Sequence, residues 1–243
     1  MSVRAGVNPN GEKERPARRR SQWKPVEYPE LFERKNKPIG LFPVYLHMQT
    51  KSERTRQFII EQAAPIFNRK GFAGTSMSDI LEATGLAKGG LYGNFESKEE
   101  IAREAFRYSF EKVYNEIVKA VTKKHSPLEK LIAVCDYHKD YTKKMDGGCP
   151  ILNFSIEVDD TMPRLKKDVR MAVELMLSDL YRIIEKGKRL GEIRREVNSE
   201  RVAGVIYAQI EGGIFMAKAL DDHRKLNQSL EFLKGMILGE LKA

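Results

Sequence analysis

A chain of 243 residues, 41% hydrophobic and 32% charged, is long enough to bury one large core or two modest ones without help from a metal or a disulfide. Its two cysteines, Cys135 and Cys149, rule out a disulfide framework and fit a reducing cytoplasm; neither a CxxC pair nor histidines at metal-ligand spacing occur, so no metal or other cofactor is expected. The net charge of +9 favours a polyanionic partner, and the lack of any long apolar run argues against a membrane span or a signal peptide.

Residues 1–50 hold ten Lys/Arg against five Asp/Glu, five prolines from Pro16 to Pro43, the run Arg18-Arg19-Arg20 and no sustained apolar period. They predict a disordered basic arm over 1–47, able to attract phosphate without regard to sequence. Met48, just before the first periodic stretch, is an alternative start. From Lys51 onward the pattern is helical almost throughout and nothing alternates with period two for long, which makes the fold class all-α. Phe58, Ile59, Gln62, Ala63, Ile66 and Phe67 recur at helical steps and predict a first helix over 51–70, closed by Gly71 and bent at Pro65.

Two short helices joined by a tight turn follow. Thr75 or Ser76 caps the first, with Asp79 completing an acidic capping box; Ile80, Leu81 and Ala83 form its buried side, and Gly85 ends it. The second, over 88–94, puts Leu91 and Phe95 on one face as an anchor and leaves the opposite face free for a groove. Ser97-Lys98-Glu99-Glu100 then opens a long helix carrying Ile101, Ala105, Phe106, Phe110, Val113, Ile117 and Val121. Further helices are predicted over 127–144, after Pro150, and over 163–189, 199–220 and 224–241.

Three features of this second half bear on function. The stripes Val202, Ile206, Ile210, Gly213, Met216, Leu220 and Leu226, Leu230, Leu233, Ile237, Leu241 suit either a dimer contact or an internal core. Phe106, Phe110, Tyr137, Tyr141, Met145 and Phe154 are candidates to line an apolar pocket, although aromatics at helical spacing commonly serve as plain core. Cys149 stands directly before Pro150, near a helix N-cap, where the positive helix end lowers a thiol pKa; it is a candidate sensor thiol. Cys135, among Leu131, Ile132 and Val134, reads as core.

The segment 51–98 resembles the DNA-binding domain of the TetR/AcrR family. Ala64 and Phe67, the Gly71-Phe72 step, Thr75-Ser76, the Gly85-Leu86 turn and the ending Leu91-Tyr92-x-x-Phe95-x-x-Lys98 carry the likeness. It implies a three-helix helix-turn-helix DNA-binding domain at 48–97, then a larger helical effector-binding and dimerisation domain at 98–243. It also implies a homodimer formed through the helices near 199–220 and 224–241, a palindromic operator in double-stranded DNA, and a repressor, not an enzyme, released by a small-molecule effector. On that footing Lys88, Gly89, Gly90, Tyr92 and Asn94 face the major groove, Tyr92 toward phosphate, while Thr75, Ser76 and Lys98 suit flanking phosphates. Gly90 and Gly93 stand where many relatives carry larger side chains, so base readers are few. The stretch from Gly148-Cys149-Pro150 to Glu157-Val158 is similar to a segment of TetR-type electrophile and redox sensors, which makes covalent sensing at Cys149 an alternative to a ligand. A different class, nonspecific binding driven by the arm, is the rival to sequence-specific recognition.

Overall fold

The computed structural model describes residues 50–139, 141, 147–158 and 161–243. The arm over 1–47, Met48 and the pocket candidate Met145 lie outside the described residues. Among those described, helices account for nearly every element and no strand occurs.

Helix α1 (Lys51–Gly74) opens on a capping box, in which Thr50 Oγ1 accepts from the Glu53 amide at 3.2 Å and the Glu53 carboxylate accepts from the Thr50 amide at 2.7 Å. Ile59, Ala63 and Phe67, fully buried, form its inner stripe. The bend expected at Pro65 is found instead at Gly71, where φ is 73°. Pro65 lies on the exposed side, so water can serve the carbonyl left without a partner there. α2 (Met77–Thr84) starts at Ser76 with the reciprocal Ser76–Asp79 box, and Gly85 closes it with φ 64° and its amide donating to Leu81 at 2.9 Å. Ala83, expected inside, is exposed; Thr84, four residues from Ile80, takes the buried place, its hydroxyl satisfied by the Ile80 carbonyl at 2.8 Å. α3 (Lys88–Tyr92) is short, and Leu91 with Phe95 anchors it as expected.

α4 (Lys98–Thr122) buries Ile101, Ala105, Phe106, Phe110, Ile117 and Val121, and packs against α1 on one side and the remaining helices on the other. α5 (Pro127–His138) stops short of 144, the chain turning out of the helix at Lys139 with ψ 127°. α6 (Pro150–Glu157) has Cys149 at its N-cap. α7 (Pro163–Arg189), α8 (Ser199–Ala219) and α9 (Arg224–Met236), the last running into a π turn over Ile237–Leu241, complete the bundle. Asp168 on α7, 2% exposed, receives Arg103 Nε at 2.5 Å and Arg107 Nε at 2.9 Å from α4, so one buried carboxylate ties the two helices together.

Most of the stripe read as a dimer seam is internal. Ile206, Ile210, Leu226, Leu230, Leu233, Ile237 and Leu241 are buried between α8, α9 and their neighbours, and Gly213 lets the two helices close to about van der Waals distance at Leu226 and Ser229. A helix must cover its strongest stripe within the chain first. Left outward are Val205, Phe215, Met216, Leu220, Phe232 and Leu238.

Candidate functional site

The face of α3 turned away from Leu91 is open. Lys88 and Gly89 are exposed, Gly90 is half-buried where a side chain would touch Leu86 alone, and Tyr92 keeps 53% of its surface in solvent, unusual for a large ring. Nothing crowds Gly89, so another backbone can approach there closely. Ser76 is exposed one helix earlier, but its hydroxyl donates to Asp79 Oδ2 at 2.8 Å and accepts from the Asp79 amide at 3.1 Å. The side of the unit that holds α3 is rigid: Arg56 stacks on Phe95 at 4.0 Å, pairs with Glu100 at 2.7 Å and donates to the Asn94 carbonyl at 2.5 Å.

Three further residues expected at the interface are also committed within the protein. Thr75 is 1% exposed and its hydroxyl donates to the Gly71 carbonyl at 2.7 Å, so it closes the end of α1 and has no hydroxyl to spare for phosphate. Lys98 Nζ donates to the carbonyls of Phe72 at 2.9 Å and Thr75 at 3.0 Å and lies 4.2 Å above the Phe72 ring; it satisfies a helix end. Asn94 donates to the Gly90 carbonyl at 2.7 Å and accepts from Ser52 Oγ at 3.3 Å, joining α3 to the start of α1. Ser52 and Arg56 are the positions that sequence reasoning missed. Their spacing of four residues on one helical face is the signal that could have found them.

A polar seam joins the helix-turn-helix to the rest of the molecule. Asn68, 4% exposed on α1, donates to the Gly148 carbonyl at 3.0 Å. Asn153 of α6 donates to the Asn68 carbonyl at 3.0 Å and to Gly147 at 2.8 Å, and Lys218 of α8 reaches Gly147 at 2.6 Å. Glu157 accepts the Ala73 amide at 2.9 Å beside the Gly71 kink. Beneath these bonds the rings Phe67, Phe154 and Phe106 form a continuous run, 6.4 Å and 5.3 Å between successive centroids. Phe106 and Phe154, read as pocket candidates, belong to this seam.

The cavity itself lies between α4, α5, α6, α7 and α8 and is small, about 20 Å³, room for roughly one water. Of the six candidates, Phe110 and Tyr141 border it, joined by Tyr114, His138, Cys149 and Glu211. Tyr137 stands behind, edge-on to His138 at 5.0 Å. Burial holds His138 down at about 4, and its Nδ1 donates to the Val134 carbonyl at 2.7 Å, which fits a neutral ring. Burial pushes Glu211 up to about 7, although the Cys149 thiol and the Tyr207 hydroxyl both donate to it.

Cys149 occupies the N-cap foreseen for it, but its chemistry is the reverse of that foreseen. The thiol is 6% exposed and donates to Glu211 Oε1 at 3.2 Å. Burial first, then the nearby carboxylate, raises its pKa well above the usual value, and the amides of Ile151 and Leu152 at the helix end offset only part of this. A protonated, enclosed thiol is a poor nucleophile. Cys135 is likewise buried, its thiol pushed up to about 12 by burial.

Comparison with known proteins matches two stretches of the chain separately. Residues 59–105 match the family described as bacterial regulatory proteins, tetR family, and residues 127–233 match the tetracyclin repressor-like C-terminal domain. The chain is similar to the HTH-type transcriptional repressor DhaR of Mycobacterium sp. (strain GP1), 26% identical over 72% of this chain and 88% of that one. Among solved structures, a TetR family transcriptional regulator from Cytophaga hutchinsonii is 37% identical over 81% of this chain and 99% of its own, with a TM-score of 0.75. A TetR regulator from Chloroflexus aurantiacus is 38% identical over 79% and 98%, with a TM-score of 0.76.

Proposed function

The chain belongs to the TetR family of transcriptional regulators, and from that premise we propose that it is a repressor whose homodimer grips a palindromic operator and releases it when a small molecule enters and widens the cavity beside Glu211. The observation that carries the reading is the free face of α3, where Lys88, Gly89 and the exposed Tyr92 stand on a unit rigidly fixed from behind by Arg56. Lys88 is assigned to guanine acceptors or phosphate, Tyr92 to phosphate, and Gly89 and Gly90 to close backbone approach. Ser76, exposed at the start of α2, is assigned a flanking phosphate contact that its hydroxyl makes by turning from Asp79. Residues 48–97 act as the DNA-binding domain and 98–243 as the effector and dimer domain, in a cytoplasmic protein; among the described residues no helix is long and apolar enough to cross a membrane.

The outward residues of α8 and α9, Val205, Phe215, Leu220, Phe232 and Leu238, support a two-fold contact there, and Gly212, Gly235 and Gly239 have no neighbour within 4 Å that would keep a partner helix at a distance. Two recognition helices about 34–36 Å apart then meet successive major grooves on one face of the duplex. Control follows from the seam. The Gly147–Pro150 turn is both a wall of the cavity, through Cys149 and Pro150, and the anchor of Asn68 on α1. A ligand that shifts the turn therefore also shifts α1, and the two DNA-bound units lose their common spacing, a differential affinity between two states.

The test is selection of DNA fragments by the purified protein, followed by binding to the enriched sequence across salt. A palindrome bound by wild type and lost in Tyr92→Ala supports the reading. No enriched sequence, with affinity that collapses as salt rises, overturns it in favour of nonspecific binding.

A further inference from the structure

The helix-turn-helix unit meets the α4–α9 bundle along two elements: α4 runs out of it directly, and α6 packs along α1. α6 holds α1 from two residues one turn apart, Asn153 and Glu157. Asn153 Nδ2 donates to the main-chain and side-chain oxygens of Asn68, both at 3.0 Å, and the half-buried Glu157 carboxylate accepts the Ala73 amide at 2.9 Å. A single attachment lets a body pivot about it. Two of them, about 6 Å apart along α6 at 1.5 Å per residue, fix an angle.

The attachment at Glu157 is built on a glycine. Gly71 has φ 73°, a conformation that side chains resist, and it breaks the run of α1 two residues before the amide that Glu157 takes. A Cβ at Gly71 would also overlap Glu157 Oε1, so the carboxylate occupies the space that any side chain there would need. The sign of φ and the bareness of one residue thus serve the same contact. Ala73 stands three residues before Ser76, the cap of α2, so a fixed Ala73 fixes the entry to the two helices that meet DNA. The Asn68 attachment is bedded in the same way: Gly147, with φ 86°, stands where a Cβ would overlap the Asn68 carbonyl.

A dimer that reads two half-sites must hold its two units at one separation and one angle. Adding or removing one central base pair moves the half-sites by about 3.4 Å and turns one against the other by roughly 35°. We propose that Glu157, outside the DNA-binding unit, is a positioning residue that sets the half-site spacing the dimer accepts. It acts through Ala73 and Gly71. With the carboxylate seated, each unit is held at a fixed angle to the bundle; without it, the unit pivots about Asn68 and α4. As an acid, Glu157 has no attraction for phosphate, so the contacts of α3 with DNA are unchanged. The proposal rests on the reading of the chain as a dimer on a palindromic operator and names what sets the spacing of that operator.

Gel shifts of the full chain test it, on the palindrome enriched from random DNA and on the same palindrome with one central base pair inserted or deleted. Wild type should bind both altered spacings about tenfold more weakly or worse. Glu157→Ala, a truncation that leaves the core intact, should cut that discrimination to about threefold, while the salt dependence and the loss caused by a base change within a half-site stay as in wild type. Glu157→Gln, whose amide oxygen still accepts from Ala73, should keep most of the discrimination. The proposal is overturned if wild type binds all three spacings alike, if Glu157→Ala keeps the wild-type ratio or weakens every spacing by one common factor, or if Gln loses as much as Ala. Failure to enrich any palindrome overturns the underlying reading as well, whereas an enriched palindrome whose spacing preference ignores Glu157 overturns this proposal alone.

Discussion

Replacing Glu211 by Gln should stabilise the protein at pH 8 and change it little at pH 5. Burial holds this carboxyl at about 7 against an ordinary 4.5. The folded chain therefore keeps its proton over a range where the unfolded chain has released it, and stability falls as pH rises from about 4.5 to about 7, the loss being complete above. A shift of this size, about 1.4 kcal/mol for each pH unit, amounts to roughly 3 kcal/mol as an upper bound. Glutamine keeps the volume and an oxygen that can accept from one of the two donors, Cys149 or Tyr207, but it cannot become charged. Wild type alone will hide the effect. Asp179, raised to about 6 by burial, loses stability in the same direction, while His138, lowered to about 4 from 6.5, loses it as pH falls through that window. The difference between the two proteins cancels both, and the Cys149, Tyr141 and Tyr207 protons stay in place throughout. Urea midpoints for wild type and Glu211→Gln, taken from about pH 5 to 8.5 at one protein concentration because dimerisation adds to stability, give the curve. A difference that stays flat within about 0.5 kcal/mol over that range would refute the assignment of a buried, uncompensated carboxylate.

Three other perturbations probe separate parts of the structure. Phe232→Glu, at a ring 71% exposed, should yield a monomer in sedimentation and at least a tenfold loss of operator affinity with unchanged helicity; a persistent dimer would move the interface elsewhere. Asp168→Ala leaves Arg103 and Arg107 facing a partly buried gap and should cost about 3–5 kcal/mol in denaturant unfolding, whereas a cost under about 1 kcal/mol would show that the α4–α7 tie is weak. Cys149 should react with a thiol reagent only as fast as the protein opens, and Cys149→Ser should bind operator as wild type does before and after mild oxidation; rapid labelling of the folded protein would restore the sensor reading.

The parts of the fold that were legible in the sequence are those governed by local chemistry. Ser76 and Asp79, three residues apart, cap α2 as their types dictate, and Gly85 takes the left-handed turn that other residues resist. Apolar steps of three and four marked α4, α7 and α8 within a residue or two of their ends. What could not be read is which partner a side chain meets once the helices pack. Thr75, Asn94 and Lys98 have the chemistry of phosphate contacts, yet each meets a backbone carbonyl of a neighbouring turn first, because an unsatisfied carbonyl near the core costs more than a contact made later with DNA gains. Cys149 shows the same limit in electrostatic form: the helix N-terminus that lowers a thiol pKa is visible in the order Cys149-Pro150, whereas the opposing Glu211 lies 62 residues away and arrives only with α8. The stripe on α8 and α9 is legible only in part, for a geometric reason. Periodicity reports that a face is apolar but not whether the same chain covers it, and here Ile206, Ile210 and Leu230 are covered from within while Met216 and Leu220 of the same stripe, with Val205, Phe215 and Phe232 beside it, face outward. A dimer seam in a helical bundle is thus to be sought in the apolar residues that the same chain leaves uncovered, whether or not they keep the dominant period.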